Sequence, residues 1–162
     1  MNKNAYFAGG CFWGLEDLFR KLKGVISTDA GYLGGENENP TYENHPGHAE
    51  GLDVVYDSSQ ITYWQLLDFF FQIHNPTTLN RQGNDIGTSY RSAIFYQNDD
   101  ELKQAKDFIE IVNKSGRWGA PVVTTLESFT KFWKAEEYHQ DYLEKNPGGY
   151  TCHAIFFDSY IK

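Results

Sequence analysis

Cys11 stands in Gly10-Cys11-Phe12-Trp13-Gly14, where a short strand gives way to a helix. A thiol at a helix N-terminus meets unpaired backbone N–H groups and the positive end of the helix dipole. Both favour the thiolate, which is the nucleophilic form, so the pattern predicts a lowered pKa. One other cysteine is present, Cys152, in Tyr150-Thr151-Cys152-His153 near the other end of the chain. Two such thiols make no disulfide framework. In a reducing compartment the pair is more often catalytic or redox-active than structural.

Glu50, in Gly47-His48-Ala49-Glu50, lies where a glycine-rich loop enters a strand. A carboxyl desolvated among aromatics has its pKa raised and can donate a proton. Tyr42 and Tyr90 offer phenolic O–H groups, and Asp85, Tyr90 and Arg91 fall within one stretch of loop and strand entry, where sites are commonly built. Each residue also has a plainer reading. Glutamates at strand starts are usually exposed, tyrosines usually pack, and Asp beside Gly is ordinary turn chemistry. His45, His48, His139 and His153 could join the cysteines as zinc ligands. No C-x2-C pair occurs and His45-Pro46-Gly47-His48 lacks a ligand spacing, so no metal is expected.

The elements that must position these groups can be read from periodicity. Residues 3–9 form a strand, and Leu15, Leu18, Phe19 and Leu22 mark one face of the helix after Cys11. Glu16 and Asp17 in its first turn, Arg20, Lys21 and Lys23 in its last, and Gly24 as its stop would complement the dipole. A second strand over 25–34 leads to a polar loop over 36–47, then a third strand around Leu52, Val54 and Tyr56. Thr62 and Gln65 form a capping box for a buried helix over 63–74. After a loop over 77–88 come a fourth strand over 90–96, an amphipathic helix opening at Asn98 and Glu101, and a fifth strand over 122–126. A last helix over 135–145 stops at Asn146-Pro147-Gly148-Gly149. Strand, helix, strand, strand, helix, strand predicts an α+β fold, a two-layer ferredoxin-like split βαβ sandwich with a C-terminal extension. The chain reads as a single catalytic domain over 1–162, with a mobile segment from about residue 146 carrying Cys152.

With 162 residues, 17% of them aromatic, one domain can bury a sizeable core. A net charge of −8 with scattered Lys and Arg argues against nucleic-acid or anionic-membrane binding. The sequence shows no signal-peptide core and no apolar run long enough to span a membrane, so a cytoplasmic, monomeric enzyme is expected.

The cysteine motif, residues 35–42, Gly47-His48-Ala49-Glu50, residues 83–92 and Ala135-Glu136-Glu137-Tyr138-His139-Gln140 occur in the order found in one family. From Phe7 to Cys152 the chain resembles peptide methionine sulfoxide reductase A. The resemblance implies that Cys11 attacks the sulfur of methionine-S-sulfoxide, free or in proteins, and is left as a sulfenic acid. Glu50, with Tyr42 and Tyr90, would hydrogen-bond and protonate the departing oxygen, and Asp85 would join the network around Tyr90. Phe12 and Trp13 would line a pocket for the S-methyl group. Cys152 would close a disulfide with Cys11, to be reduced by thioredoxin, with no cofactor. Two features depart from the family pattern: the run between Tyr42 and Glu50 is compressed, and no cysteine follows Cys152, which implies a single resolving step. Other readings are a thiol-dependent peroxidase, a zinc-structured interaction domain, or a module that binds oxidised methionine without turnover.

Overall fold

A computed structural model describes residues 1–161. Its centre is strand β1 (Asn2–Gly9), which pairs antiparallel with β3 (Ala49–Asp57) on one side and β6 (Ser92–Tyr96) on the other. Phe7 lies opposite Leu52 and Ile94, so three apolar side chains line up across the sheet. β2 (Val25–Leu33) continues the sheet beyond β3. The outer strands are β7 (Thr125–Ser128), parallel to β6, and β8 (Phe132–Lys134), antiparallel to β2. The full order is β7-β6-β1-β3-β2-β8. The architecture is mixed α+β.

Side chains alternate across a strand, and β1 uses both faces. Ala5 and Phe7 point to the main core with Phe12, Leu15 and Phe19 of α1 (Phe12–Arg20) and Leu66, Leu67, Phe70 and Phe71 of α2 (Tyr63–Gln72). Phe108 of α3 (Asp99–Ser115) closes that core, its ring 5.8 Å from Phe71. Tyr6 and Ala8 face the other way, into a smaller cluster covered by Phe129 and Phe132. The capping box at α2 is present, with Gln65 N–H donating to Thr62 Oγ1 at 3.1 Å and Thr62 N–H to Gln65 Oε1 at 2.9 Å. Asn98 caps α3 and Gly116 ends it in the left-handed region at φ 66°.

Several expectations shift. α1 begins at Phe12, so Glu16 and Asp17 fall outside its first turn, and Glu16 is buried instead of complementing the dipole. The 77–88 loop folds a two-residue hairpin, β4 (Arg81–Gln82) with β5 (Asp85–Ile86). Tyr90 ends a 3-10 turn ahead of β6. The fifth strand lies at 125–128, further along than expected, and β8 is additional. Residues 135–145 do not form one helix: a 3-10 turn, Glu137–His139, is separated from α4 (Tyr142–Lys145) by Asp141 at φ 51°. Gln140 accounts for the break. Its side chain accepts from Ala30 N–H and donates to the carbonyls of Ala30 and Ala135, all within 2.9 Å, which outweighs helix propensity. Beyond Cys152 the chain returns along α2: Phe156 N–H donates to Gln72 O, and Ser159 and Tyr160 donate to the Asp68 carboxylate.

Candidate active site

Gly10, at φ 97°, lets the chain turn sharply from β1 into α1, and Cys11 takes the N-cap position between them. The adjacent strand β3 carries Glu50 beside this junction. The first helical N–H, that of Phe12, donates to Glu50 Oε1 at 3.2 Å. Trp13 N–H points back toward Cys11 Sγ and favours its thiolate, though outside hydrogen-bond geometry. Burial wins over both the dipole and this contact: Cys11 is 7% exposed, and desolvation, followed by the Glu50 charge, pushes its thiol well above the ordinary range. The lowered pKa expected for Cys11 is therefore overturned. A helix terminus offers partial charges, whereas removing water penalises the full charge of a thiolate.

Glu50 is 1% exposed. Desolvation raises its pKa to about 8, against the opposing pull of Phe12 N–H. Its carboxyl is consequently protonated near neutrality and can donate. Tyr42 and Tyr90 face the same point. Each acts on the ionisation of the other, and burial is the main cause that raises the pKa of both phenols. Cys11, Glu50, Tyr42 and Tyr90 thus converge, offering a sulfur, an acidic proton and two phenolic donors.

The two aromatics after Cys11 differ in burial. Phe12 is fully buried, its ring 5.7 Å from Tyr32 and 5.0 Å from His139. Trp13 remains partly exposed, stacked 3.8 Å from Tyr142, with Nε1–H donating to His139 Nδ1 at 2.9 Å. That bond makes Nδ1 the acceptor, so the proton of the neutral His139 ring sits on Nε2, which is buried without a partner. The His139 ring also lies 4.7 Å from Tyr42. Glu136 steadies the far side: it accepts from Tyr32 O–H at 2.9 Å and from Tyr42 N–H at 3.0 Å. The sequence offers His139 only as a zinc candidate and Glu136 only within a family-like motif; their contacts with Trp13, Tyr32 and Tyr42 arise from the break that Gln140 imposes on 135–145.

Asp85 is placed differently from expectation. Its Oδ2 accepts from Tyr150 O–H at 3.2 Å and lies 3.8 Å from Cys152 Sγ, so its hydrogen bonds serve the second thiol and not Tyr90. Both cysteines are free thiols, and Cys152 is near enough to act on the ionisation of Cys11. His48 holds its own loop: Nδ1 accepts from Gly35 N–H and Nε2 reaches Asn37 O, each at 3.0 Å. Among the described residues no group of three or more His, Cys, Asp or Glu is arranged to hold a metal ion.

The model of one protein family, peptide methionine sulfoxide reductase, matches residues 3–159. A peptide methionine sulfoxide reductase MsrA from a Mycobacterium species (strain JLS) is 60% identical over 152 residues, covering 94% of this chain and 89% of that relative. The crystal structure of Mxr1 from Saccharomyces cerevisiae in reduced form superposes with TM-score 0.87 at 40% identity, covering 93% of this chain and 89% of that one. Mxr1 in complex with Trx2 superposes with TM-score 0.64 at 33% identity, covering 87% of this chain and 84% of the other.

Proposed function

The chain belongs to the peptide methionine sulfoxide reductase family, and we propose that it reduces methionine-S-sulfoxide, free or in proteins, to methionine with Cys11 as the nucleophile. The observation that carries this reading is Glu50, a buried carboxyl that stays protonated near neutrality beside a buried thiol. A sulfoxide oxygen is a poor leaving group until it is protonated. Glu50 supplies that proton, and Tyr42 and Tyr90 hold the oxygen through their O–H groups. Cys11 Sγ attacks the sulfoxide sulfur, its own proton passing to Glu50. The hydroxyl then passes to Cys11 Sγ as the S–S bond just formed and the original S–O bond break, which leaves Cys11 as a sulfenic acid and releases methionine. Phe12 and Trp13 shape the apolar seat of the S-methyl group.

Cys152 attacks the sulfenic acid to give a Cys11–Cys152 disulfide and water. Thioredoxin reduces the disulfide, a reading supported by the relative solved with Trx2. Asp85 and Tyr150 attend the second thiol. The aromatics after Cys11 and the protonated Glu50 carboxyl favour a sulfoxide over a peroxide. The protein acts as one catalytic domain over 1–162, with a mobile C-terminal segment from about residue 146 carrying Cys152, and as a cytoplasmic monomer. Its four central strands run β6-β1-β3-β2, all antiparallel, so we read the fold as an extended ferredoxin-like split βαβ sandwich. Turnover of separate S and R epimers with thioredoxin tests the reading. Reduction of the S epimer alone is expected, and equal rates on both, or reduction of peroxide alone, would overturn it.

A further inference from the structure

We propose that His153 is the base that takes the proton of the Cys152 thiol when Cys152 attacks oxidised Cys11. The inference rests on the sulfenic acid reading above and adds a residue to its second step. His153 is buried, and its Nε2 lies 2.6 Å from Gly9 O. A carbonyl only accepts, so Nε2 carries the proton and Nδ1 presents a lone pair. Cys152 Sγ lies 3.9 Å from that Nδ1.

Gly14 leaves room for this ring, and Gly10 lies against its other edge. A Cβ on Gly14 would overlap His153 Nδ1 and Thr151 Oγ1, and one on Gly10 would press within 3.2 Å of His153 Cε1. Glycine inside the first turns of a helix costs about 1 kcal/mol relative to alanine, so its presence at 14 calls for a local reason. The imidazole fills the notch between the two glycines. It is pinned to the backbone of the strand that leads into Cys11, and the second thiol is held beside the first helix.

Three acceptors are in reach of Cys152 Sγ: Gln82 O at 3.7 Å, Asp85 Oδ2 at 3.8 Å and His153 Nδ1 at 3.9 Å. The Gln82 carbonyl cannot hold a proton. Asp85 already accepts from Tyr150, and an aspartate is about 4.6 pK units weaker as a base than a thiolate, against about 2 for an imidazole. Burial keeps the His153 ring neutral, so its lone pair is available, and the Asp85 charge supports the imidazolium once formed.

In the step, the Cys152 S–H proton passes to His153 Nδ1 while Cys152 Sγ attacks Cys11 Sγ. The S–S bond forms as the Cys11 S–O bond breaks. The proton, handed on through solvent, leaves with the oxygen as water. Cys152 is oxidised, Cys11 is reduced, and no outside reagent is needed.

The test mixes the protein with one equivalent of methionine-S-sulfoxide and no reductant, and follows methionine release and free-thiol loss separately. His153→Gln, whose amide keeps a donor for Gly9 O, should slow thiol loss, counted from completed methionine release, by about 100-fold near neutral pH. The variant's rate should then climb about tenfold per pH unit as thiolate replaces the missing base. A rate unaltered by the substitution, or lowered by one factor at every pH, overturns the proposal, the latter because it marks a latch alone. The unaltered protein gives an independent reading if the variant does not fold: thiol loss should be level from about pH 6.5 to 8.5, and a tenfold rise per unit there overturns the role. Absence of methionine release by the unaltered protein would strike the sulfoxide reading itself and this step with it. Normal release with unaltered thiol loss strikes the His153 role alone.

Discussion

Replacing Glu50 by Gln should separate proton donation from binding. Burial raises the Glu50 pKa from 4.5 to about 8, despite the hydrogen bond it accepts from Phe12 N–H. At pH 7 that leaves about 90% of the carboxyl protonated, against about 0.3% for an ordinary glutamate. The difference is a few hundred-fold in available donor, or about 3 kcal/mol. Glutamine keeps the shape and an acceptor for Phe12 N–H but has no proton to give, so methionine release in a single turnover should fall by about 10²- to 10³-fold. With Glu50 as the acid, whose pKa is raised to about 8, the unaltered protein should show a release rate that is level at acid pH and falls as pH rises through about 8. Ionisation of Cys11 would drive the rate the other way, so the sign of the slope separates the two groups. Rapid quenching with methionine quantified across pH reads both effects. A Glu50→Gln rate within about threefold of the original, or an original rate that climbs through pH 8, would refute the acid role.

Gly14→Ala adds a methyl where Thr151 and His153 dock, so disulfide formation after methionine release should slow by about 100-fold in a thiol count; an unaltered rate would show that this docking is not required. Glu16 is buried, accepts from Thr28 O–H and Asp141 N–H, and has its pKa raised from 4.5 to about 7 by burial. The folded state therefore holds this proton more tightly than the unfolded one, and the stability it contributes is complete below the unfolded pKa and lost as pH rises through about 7. Glu16→Gln should remove about 3 kcal/mol of the loss of stability between pH 5 and 8 in denaturant titrations, and an unaltered pH slope would count against it. Tyr42→Phe and Tyr90→Phe should each lower the release rate by about 100-fold with little change in KM; a full-speed Tyr42→Phe would take that hydroxyl out of the step.

Much of this arrangement is legible before any coordinates. Cys11 and Glu50 announce themselves through a strand-to-helix junction and a loop entering a strand, and the alternation in β1 and β3 brings those two positions together. The acidity of Cys11 was not legible, because the dipole is a local property while desolvation sums everything folded around the thiol. Gln140 likewise hid the placement of Glu136 and His139, since its hydrogen bonds reach Ala30 in a strand distant in sequence. Gly14 is visible as a glycine, but what it admits is Thr151 and His153 near the other end of the chain. β8 escaped notice because it is three residues long and lies at a sheet edge, where Gly31 of β2 makes room for Phe132.

The most direct test of the central claim is intact mass and thiol count after one equivalent of methionine-S-sulfoxide without reductant, on the unaltered protein and on Cys152→Ser. The account predicts about one methionine released by each. The unaltered protein should lose both thiols and two hydrogens, and Cys152→Ser should carry one added oxygen at Cys11. Methionine release by Cys152→Ser with no oxygen added at Cys11, or oxygen found on Cys152 of the unaltered protein, would contradict it.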